Sequence, residues 1–110
     1  MVKNSREVRR LVKKLAFCLR EEGIKVNRLI LYGSYAQGNA RPESDVDIAV
    51  ISESFNRKGL LKRQELLGEA IFSLQEPVEA IGYSYEEFRK RLPLSFLSDI
   101  VAKGKVVYEE

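Results

Sequence analysis

One stretch of the sequence decides the fold: Leu31-Tyr-Gly-Ser-Tyr-Ala-Gln-Gly-Asn-Ala-Arg-Pro-Glu-Ser-Asp-Val-Asp-Ile-Ala-Val50. In it, an apolar strand ends at Gly33 and Ser34, where a short helix is expected to begin. Gly33 accepts backbone angles that other residues avoid and lets the backbone approach a ligand closely. The first N–H groups of a helix suit a phosphate, so this turn is a candidate phosphate site. For the Gly-Ser pair alone, an ordinary turn with a serine cap is the alternative.

The second half of the stretch carries two carboxylates, Asp45 and Asp47, on a predicted strand. Side chains alternate along a strand, so both acids share one face, about 6–7 Å apart along the chain. Val46 and Ile48 point the other way, into the core. Neighbouring carboxylates repel each other, but at the end or edge of a sheet they can bind a pair of Mg²⁺ ions. A solvated strand end with two acids is the alternative.

The remaining sequence alternates helical and strand patterns in the order αβαβαβααβ, which predicts an α/β fold with a small mixed sheet flanked by helices. No linker or repeat interrupts the chain, so residues 1–110 are expected to form a single domain. Asn4 with Glu7, and Ser84 with Glu87, have the spacing of capping boxes. Apolar spacing predicts helices over 5–22, from Leu60 to Leu74, after Ser84 and around Leu97, and strands over 26–32, 45–51, 77–83 and 105–108.

Composition excludes several kinds of chemistry. The chain has no His, which removes His general bases and His metal ligands. Cys18 is the only Cys, so neither an internal disulfide nor a zinc cluster is possible. No apolar run reaches the ~20 residues of a membrane span, and no signal peptide precedes the first helix, which predicts a cytoplasmic protein. Catalysis would therefore depend on carboxylates, hydroxyls, Lys, Arg or a hard metal ion.

The combined pattern of Gly33, Ser34, Asp45 and Asp47 resembles the nucleotidyltransferase superfamily that includes DNA polymerase beta. It is most similar to the minimal nucleotidyltransferases, which are often encoded beside a HEPN-domain protein. The resemblance implies the polymerase beta-like fold. The motifs that carry the resemblance span about 26–83, and the order of helices and strands matches the family over the whole chain. Further matches to common family positions are Ala36, Gly38 and Ser44.

The family also has a third acid on a later strand, and Glu79 is the candidate here. Most relatives have Asp at that position, and Glu reaches one methylene further. A charge between apolar residues is costly unless it has a function or reaches an edge. A surface Glu on an edge strand is the alternative. Glu76 competes for the role, but it precedes Pro77 and is expected in a turn.

The resemblance implies a mechanism and a substrate. Asp45 and Asp47 would hold two Mg²⁺ ions, with Glu79 completing the site and accepting a proton. Ser34 and the nearby amides would hold the outer phosphates of a nucleoside triphosphate, which the resemblance suggests is ATP. A hydroxyl would attack the α-phosphate, and pyrophosphate would leave. The resemblance further suggests an antitoxin that modifies a Tyr hydroxyl of a partner HEPN-domain toxin.

Two other functions stay open. One is a binding module that keeps the fold and neutralises a partner by contact, with little or no catalysis. The other is nucleic-acid binding through the basic face of the first helix, for which a solvated helix face is the alternative. RNA ranks second to a protein as acceptor of the nucleotide. The cations of that helix are Arg6, Arg9, Arg10, Lys13, Lys14 and Arg20.

Overall fold

The computed structural model describes residues 2–110, which form a four-stranded mixed sheet with helices on both faces. The elements occur in the predicted order, which confirms the fold class. A short 3₁₀ turn, Glu53–Phe55, follows the second strand. The helices are α1 (Ser5–Glu21), α2 (Ser34–Gln37), α3 (Leu60–Leu74), α4 (Tyr85–Arg89) and α5 (Phe96–Lys103), and the strands are β1 (Arg28–Tyr32), β2 (Val46–Ser52), β3 (Val78–Ser84) and β4 (Lys105–Glu109).

The strand order is β3-β2-β1-β4. β1 runs antiparallel to both of its neighbours, whereas β2 and β3 are parallel and are connected through α3. In this register Asp47 of β2 lies opposite Tyr32 of β1 on one side and opposite Glu79 of β3 on the other. Residues paired across a sheet project from the same face, so these three side chains form a row across the sheet.

Two apolar cores lie on the two faces of the sheet. α1 and α3 cover the first face, where Leu15, Leu19 and Val46 are fully buried. α4 and α5 cover the second face through a smaller cluster that includes Leu97 and Ile100. Fully burying one such side chain contributes roughly 1.5–3 kcal/mol. The inward orientation predicted for Val46 and Ile48 is confirmed, and Asp47 consequently projects from the second face.

The helix caps and strand ends follow the sequence closely. Both predicted capping boxes are present, with Asn4 and Glu7 opening α1 and Ser84 and Glu87 opening α4. The strand bounds shift slightly: β2 begins at Val46 rather than one residue earlier, because Val46 is the first β2 residue to pair with β3. β1 likewise begins two residues later than predicted, at Arg28. Within residues 2–110 no helix is both long and apolar enough to cross a membrane.

Candidate active site

The turn between β1 and α2 brings backbone directly against a carboxylate. Gly33 has a φ of 72°, in the region that favours glycine. A Cβ at this position would overlap Oδ2 of Asp47 and lie 3.0 Å from its Cγ. Any other residue here would therefore both strain the backbone and displace the acid. The requirement for glycine that the sequence predicted is explained by this contact.

Ser34 is the first residue of α2, and Gly33 is its N-cap. Among the described residues no side chain caps α2, so the alternative of an ordinary serine-capped turn does not describe this structure. The Gly33 carbonyl accepts hydrogen bonds from the N–H groups of Ala36 and Gln37, both at 3.0 Å. Ser34 is half-buried beside the carboxylates, where its hydroxyl is a candidate ligand for a phosphate oxygen.

The structure places Asp47 beside Glu79. The pKa of Asp47 is raised from its ordinary 3.8 to about 6, mainly by burial and then by the charge of Glu79, a hydrogen bond with Glu79 and the charge of Asp45. Asp47 is half-buried, whereas Glu79 is exposed on the edge strand β3. Negative charge is therefore unfavourable at Asp47 unless a cation or a proton offsets it.

Asp45 lies one residue before β2 and is exposed. It is close enough to Asp47 to raise the pKa of that carboxyl. Over residues 2–110, however, no three acidic, His or Cys side chains converge closely enough to form a metal cluster. The structure thus brings Asp47 and Glu79 together as a pair, with Asp45 at their margin. Glu76 lies in the bend before β3 and pairs with Lys14 of α1 at 3.7 Å.

Sequence reasoning missed Tyr32, which forms the other side of the site. Burial, followed by the charges of Asp47, Glu79 and Tyr83, raises the pKa of Tyr32 to about 12. Tyr32 and Phe96 pack edge to face, with their ring centroids 6.1 Å apart. The sequence shows which residues of β1 alternate between the two faces of the sheet, but it does not show the register that sets Tyr32 opposite Asp47.

A cavity of about 520 Å³ lies beside the rings of Tyr32 and Phe96. Its lining residues are Tyr32, Gly33, Gln37, Phe96, Asp99, Ile100 and Lys103.

The basic face of α1 lies away from the carboxylates. α1 packs on the first face of the sheet, whereas Asp47 and Glu79 project from the second. The cations of α1 are exposed, as expected for a solvated helix face: Arg6, Arg9, Arg10, Lys13, Lys14 and Arg20.

The site thus consists of acids on adjacent strands, one of them set against a glycine turn that opens a helix. The chain belongs to the family described as the nucleotidyltransferase domain, whose model matches residues 12–108. This result confirms the resemblance drawn from the motif, and the chain is accordingly a nucleotidyltransferase enzyme.

The chain is 32% identical over 85 residues to a Methanocaldococcus jannaschii protein provisionally named a protein adenylyltransferase. That match covers 76% of this chain and 80% of the relative.

Three solved structures share the fold. A toxin–antitoxin structure with AMP-PNP is 26% identical, with a TM-score of 0.62 over 89% of this chain and 73% of that chain. A provisionally named nucleotidyltransferase from Sulfolobus solfataricus is 16% identical, with a TM-score of 0.63 over 94% and 78% of the two chains. A mutant of the toxin–antitoxin MntA–HpeT is 22% identical, with a TM-score of 0.59 over 89% and 72%. The latter two establish similarity of fold alone.

Proposed function

We propose that this nucleotidyltransferase transfers AMP from ATP to a hydroxyl group of a partner protein. The observation that carries the proposal is the carboxylate pair Asp47 and Glu79, of which Asp47 packs against Gly33 at the start of α2. This arrangement places two negative groups beside backbone that can receive a phosphate. The name of the Methanocaldococcus jannaschii relative supports a protein acceptor, and the AMP-PNP in the toxin–antitoxin structure supports an adenine nucleotide.

The donor atoms of the site fit Mg²⁺. This ion prefers hard oxygen ligands and is usually held by one or two carboxylates together with substrate phosphates. Asp47 and Glu79 supply such a pair, and the raised pKa of Asp47 reflects a charge that lacks compensation. We assign Asp45, Asp47 and Glu79 as the residues that would hold two Mg²⁺ ions together with the phosphates of the nucleotide. Bound magnesium supplies charge neutralisation and lowers the pKa of a hydroxyl.

The residues of the chain have distinct roles in the proposed transfer. Ser34 and the first N–H groups of α2 bind the outer phosphates, since helix N-termini suit anions. Gly33 leaves the space that a side chain would fill. Glu79 accepts the proton of the acceptor hydroxyl. The acceptor oxygen bonds to the α-phosphorus as the bond to the bridging oxygen breaks, and pyrophosphate leaves. Asp45 and Asp47 would hold the Mg²⁺ that keeps the reacting phosphate in line with the attacking oxygen.

For the partner we propose a HEPN-domain toxin, modified on a Tyr hydroxyl, so that the chain acts as an antitoxin. The toxin–antitoxin structure with AMP-PNP supports this context. A second candidate function is neutralisation by contact alone. The exposure of Glu79 and the lack of a converged trio of acids among residues 2–110 favour that alternative.

One experiment separates these functions. Purified chain, Mg²⁺ and ATP labelled at the α-phosphate are offered three acceptor pools: a HEPN-domain protein, RNA and small molecules such as aminoglycosides. We expect label on the HEPN-domain protein and none with the Asp47→Asn variant. Neutralisation of the toxin by Asp47→Asn, without label, would instead establish the contact-only function. Strong labelling of a small molecule alone would refute the proposal.

A further inference from the structure

The connection between α4 and α5 exposes three large apolar side chains in a short segment. The exposed fractions are 72% for Leu92, 102% for Leu94 and 58% for Phe96. Single exposed apolar residues are common on protein surfaces, whereas a cluster of them marks an interaction site. We refer to residues 92–96 as the apolar ridge.

The ridge is held in place by hydrogen bonds. Leu94 has a φ of 68°, a conformation that a leucine adopts only at a cost of order 1–3 kcal/mol. The Leu92 carbonyl accepts hydrogen bonds from the Ser98 hydroxyl at 2.6 Å and from the Ser95 N–H at 3.3 Å. Ser95 in turn caps α5 by accepting a hydrogen bond from the Ser98 N–H at 3.1 Å. The backbone therefore holds Leu94 outward in a strained conformation, although it buries nothing there.

The ridge adjoins the candidate active site. Phe96 contacts Tyr32 edge to face, and Tyr32 is the neighbour of Asp47 in the sheet. By contrast, the exposed Phe72 belongs to the C-terminal half of α3, which packs on the opposite face of the sheet. A molecule that contacts Phe96, at the end of the ridge, would thus lie next to Tyr32, which neighbours Asp47.

The other flank of the ridge is positively charged. A cavity of about 510 Å³ lies between Tyr83 of β3 and Leu92 of the ridge. Four cationic and two acidic side chains line it, and one pair of these, Arg63 and Glu87, is joined at 2.6 Å. The surplus of positive charge favours acidic groups on whatever covers this surface. The charged lining residues are Arg57, Arg63, Lys90, Arg91, Glu86 and Glu87.

We infer that the apolar ridge is the docking surface for the acceptor protein. The contact surface of that protein would place apolar side chains on Leu92 and Leu94 and acidic side chains at the basic cavity. This inference rests on the proposed function and specifies how the acceptor is recognised. It also explains why a leucine occupies a strained, fully exposed position next to a catalytic cleft.

The test compares Leu94→Ser with a matched control, Phe72→Ser, whose side chain is also largely exposed (75%) but lies in the C-terminal half of α3. The probes are a HEPN-domain protein as acceptor and free Mg²⁺-ATP. Leu94→Ser should raise KM for the protein acceptor roughly tenfold with kcat little changed, as expected for an interface residue of central importance. Phe72→Ser should leave both unchanged. Neither variant should alter the increase in Tm produced by Mg²⁺-ATP.

Two further variants refine the test. Leu94→Gly suits the positive φ, so it should stabilise the fold while weakening docking as Leu94→Ser does. Lys90→Glu should raise KM and weaken its dependence on salt.

Three outcomes would overturn the inference. A wild-type KM in Leu94→Ser, with or without a defect in Phe72→Ser, would place the acceptor elsewhere. Loss of the Mg²⁺-ATP effect on Tm in Leu94→Ser would show that the ridge acts through the nucleotide site. Wild-type chain that binds Mg²⁺-ATP but labels no protein would refute the proposed function itself, and the docking surface with it.

Discussion

Replacing Asp47 with Asn should stabilise the folded chain at neutral pH and abolish nucleotidyl transfer. Folding raises the pKa of Asp47 from 3.8 to about 6. The folded state therefore binds more protons than the unfolded state between about pH 4 and pH 6, and the free energy of unfolding falls as pH rises through this window. Asn removes that unfavourable charge. At about 1.4 kcal/mol per pH unit, the full effect would be about 3 kcal/mol.

Solvent screening of the half-exposed carboxylate reduces this figure to about 1–1.5 kcal/mol. For a chain of this size, such a change raises Tm by about 4–8 °C. The assay is thermal unfolding of both proteins without metal, from pH 3.5 to 8. The variant should melt higher at pH 7, and the difference should vanish below about pH 4. Asp45→Asn is the control, because its exposed side chain should give a smaller change in Tm with the same loss of transfer. An Asp47→Asn variant that melts lower at pH 7, or a pH-independent difference, would refute the reasoning.

Three further predictions concern the same site. Gly33→Ala should lower the free energy of unfolding by roughly 1–3 kcal/mol, measured by urea denaturation, and abolish transfer, because its Cβ meets Asp47; wild-type stability would contradict the contact. Glu79→Gln should reduce kcat about 100-fold or more, whereas gel filtration should still show the complex with the partner. A change in kcat below about threefold would remove Glu79 from the site. Mg²⁺-ATP near 100 times its Kd should stabilise the fold by about 2.7 kcal/mol, an effect that EDTA should reverse; no shift in Tm at millimolar concentrations would argue against a working site.

Local patterns were sufficient to predict the order of elements, both capping boxes and the position of Gly33. Each of these features depends on residues close together in the sequence. The predicted starts of the strands were less accurate, because strand pairing is set by neighbours that are distant in the chain. The pairing of β2 with β3 begins at Val46 and Val78, so Asp45 lies outside the sheet. That shift also explains why the site is a pair of acids with a third at its margin.

Tertiary packing decided what the sequence could not. The face of the sheet that α1 covers depends on the path of the whole chain, so its basic side could not be placed relative to the carboxylates. Tyr32 and Phe96 meet only because α5 packs across β1. The exposed leucine at position 94 likewise resembles an ordinary apolar helix-start residue until its φ and exposure are known.

The parallel pairing of β2 with β3 has a consequence for how this domain can diversify. Asp47 and Glu79 are directly opposite each other in the ladder, so their spacing follows the separation of about 4.8 Å between neighbouring strands. Backbone hydrogen bonds between the strands, rather than loop conformations, thus set the distance between these two carboxylates. The segment 90–95 can then change in sequence or length without altering that spacing. Under the docking proposed for the apolar ridge, acceptor choice and transfer chemistry depend on different parts of the chain, so a library randomised at 90–95 on an unchanged sheet should yield variants with new acceptors.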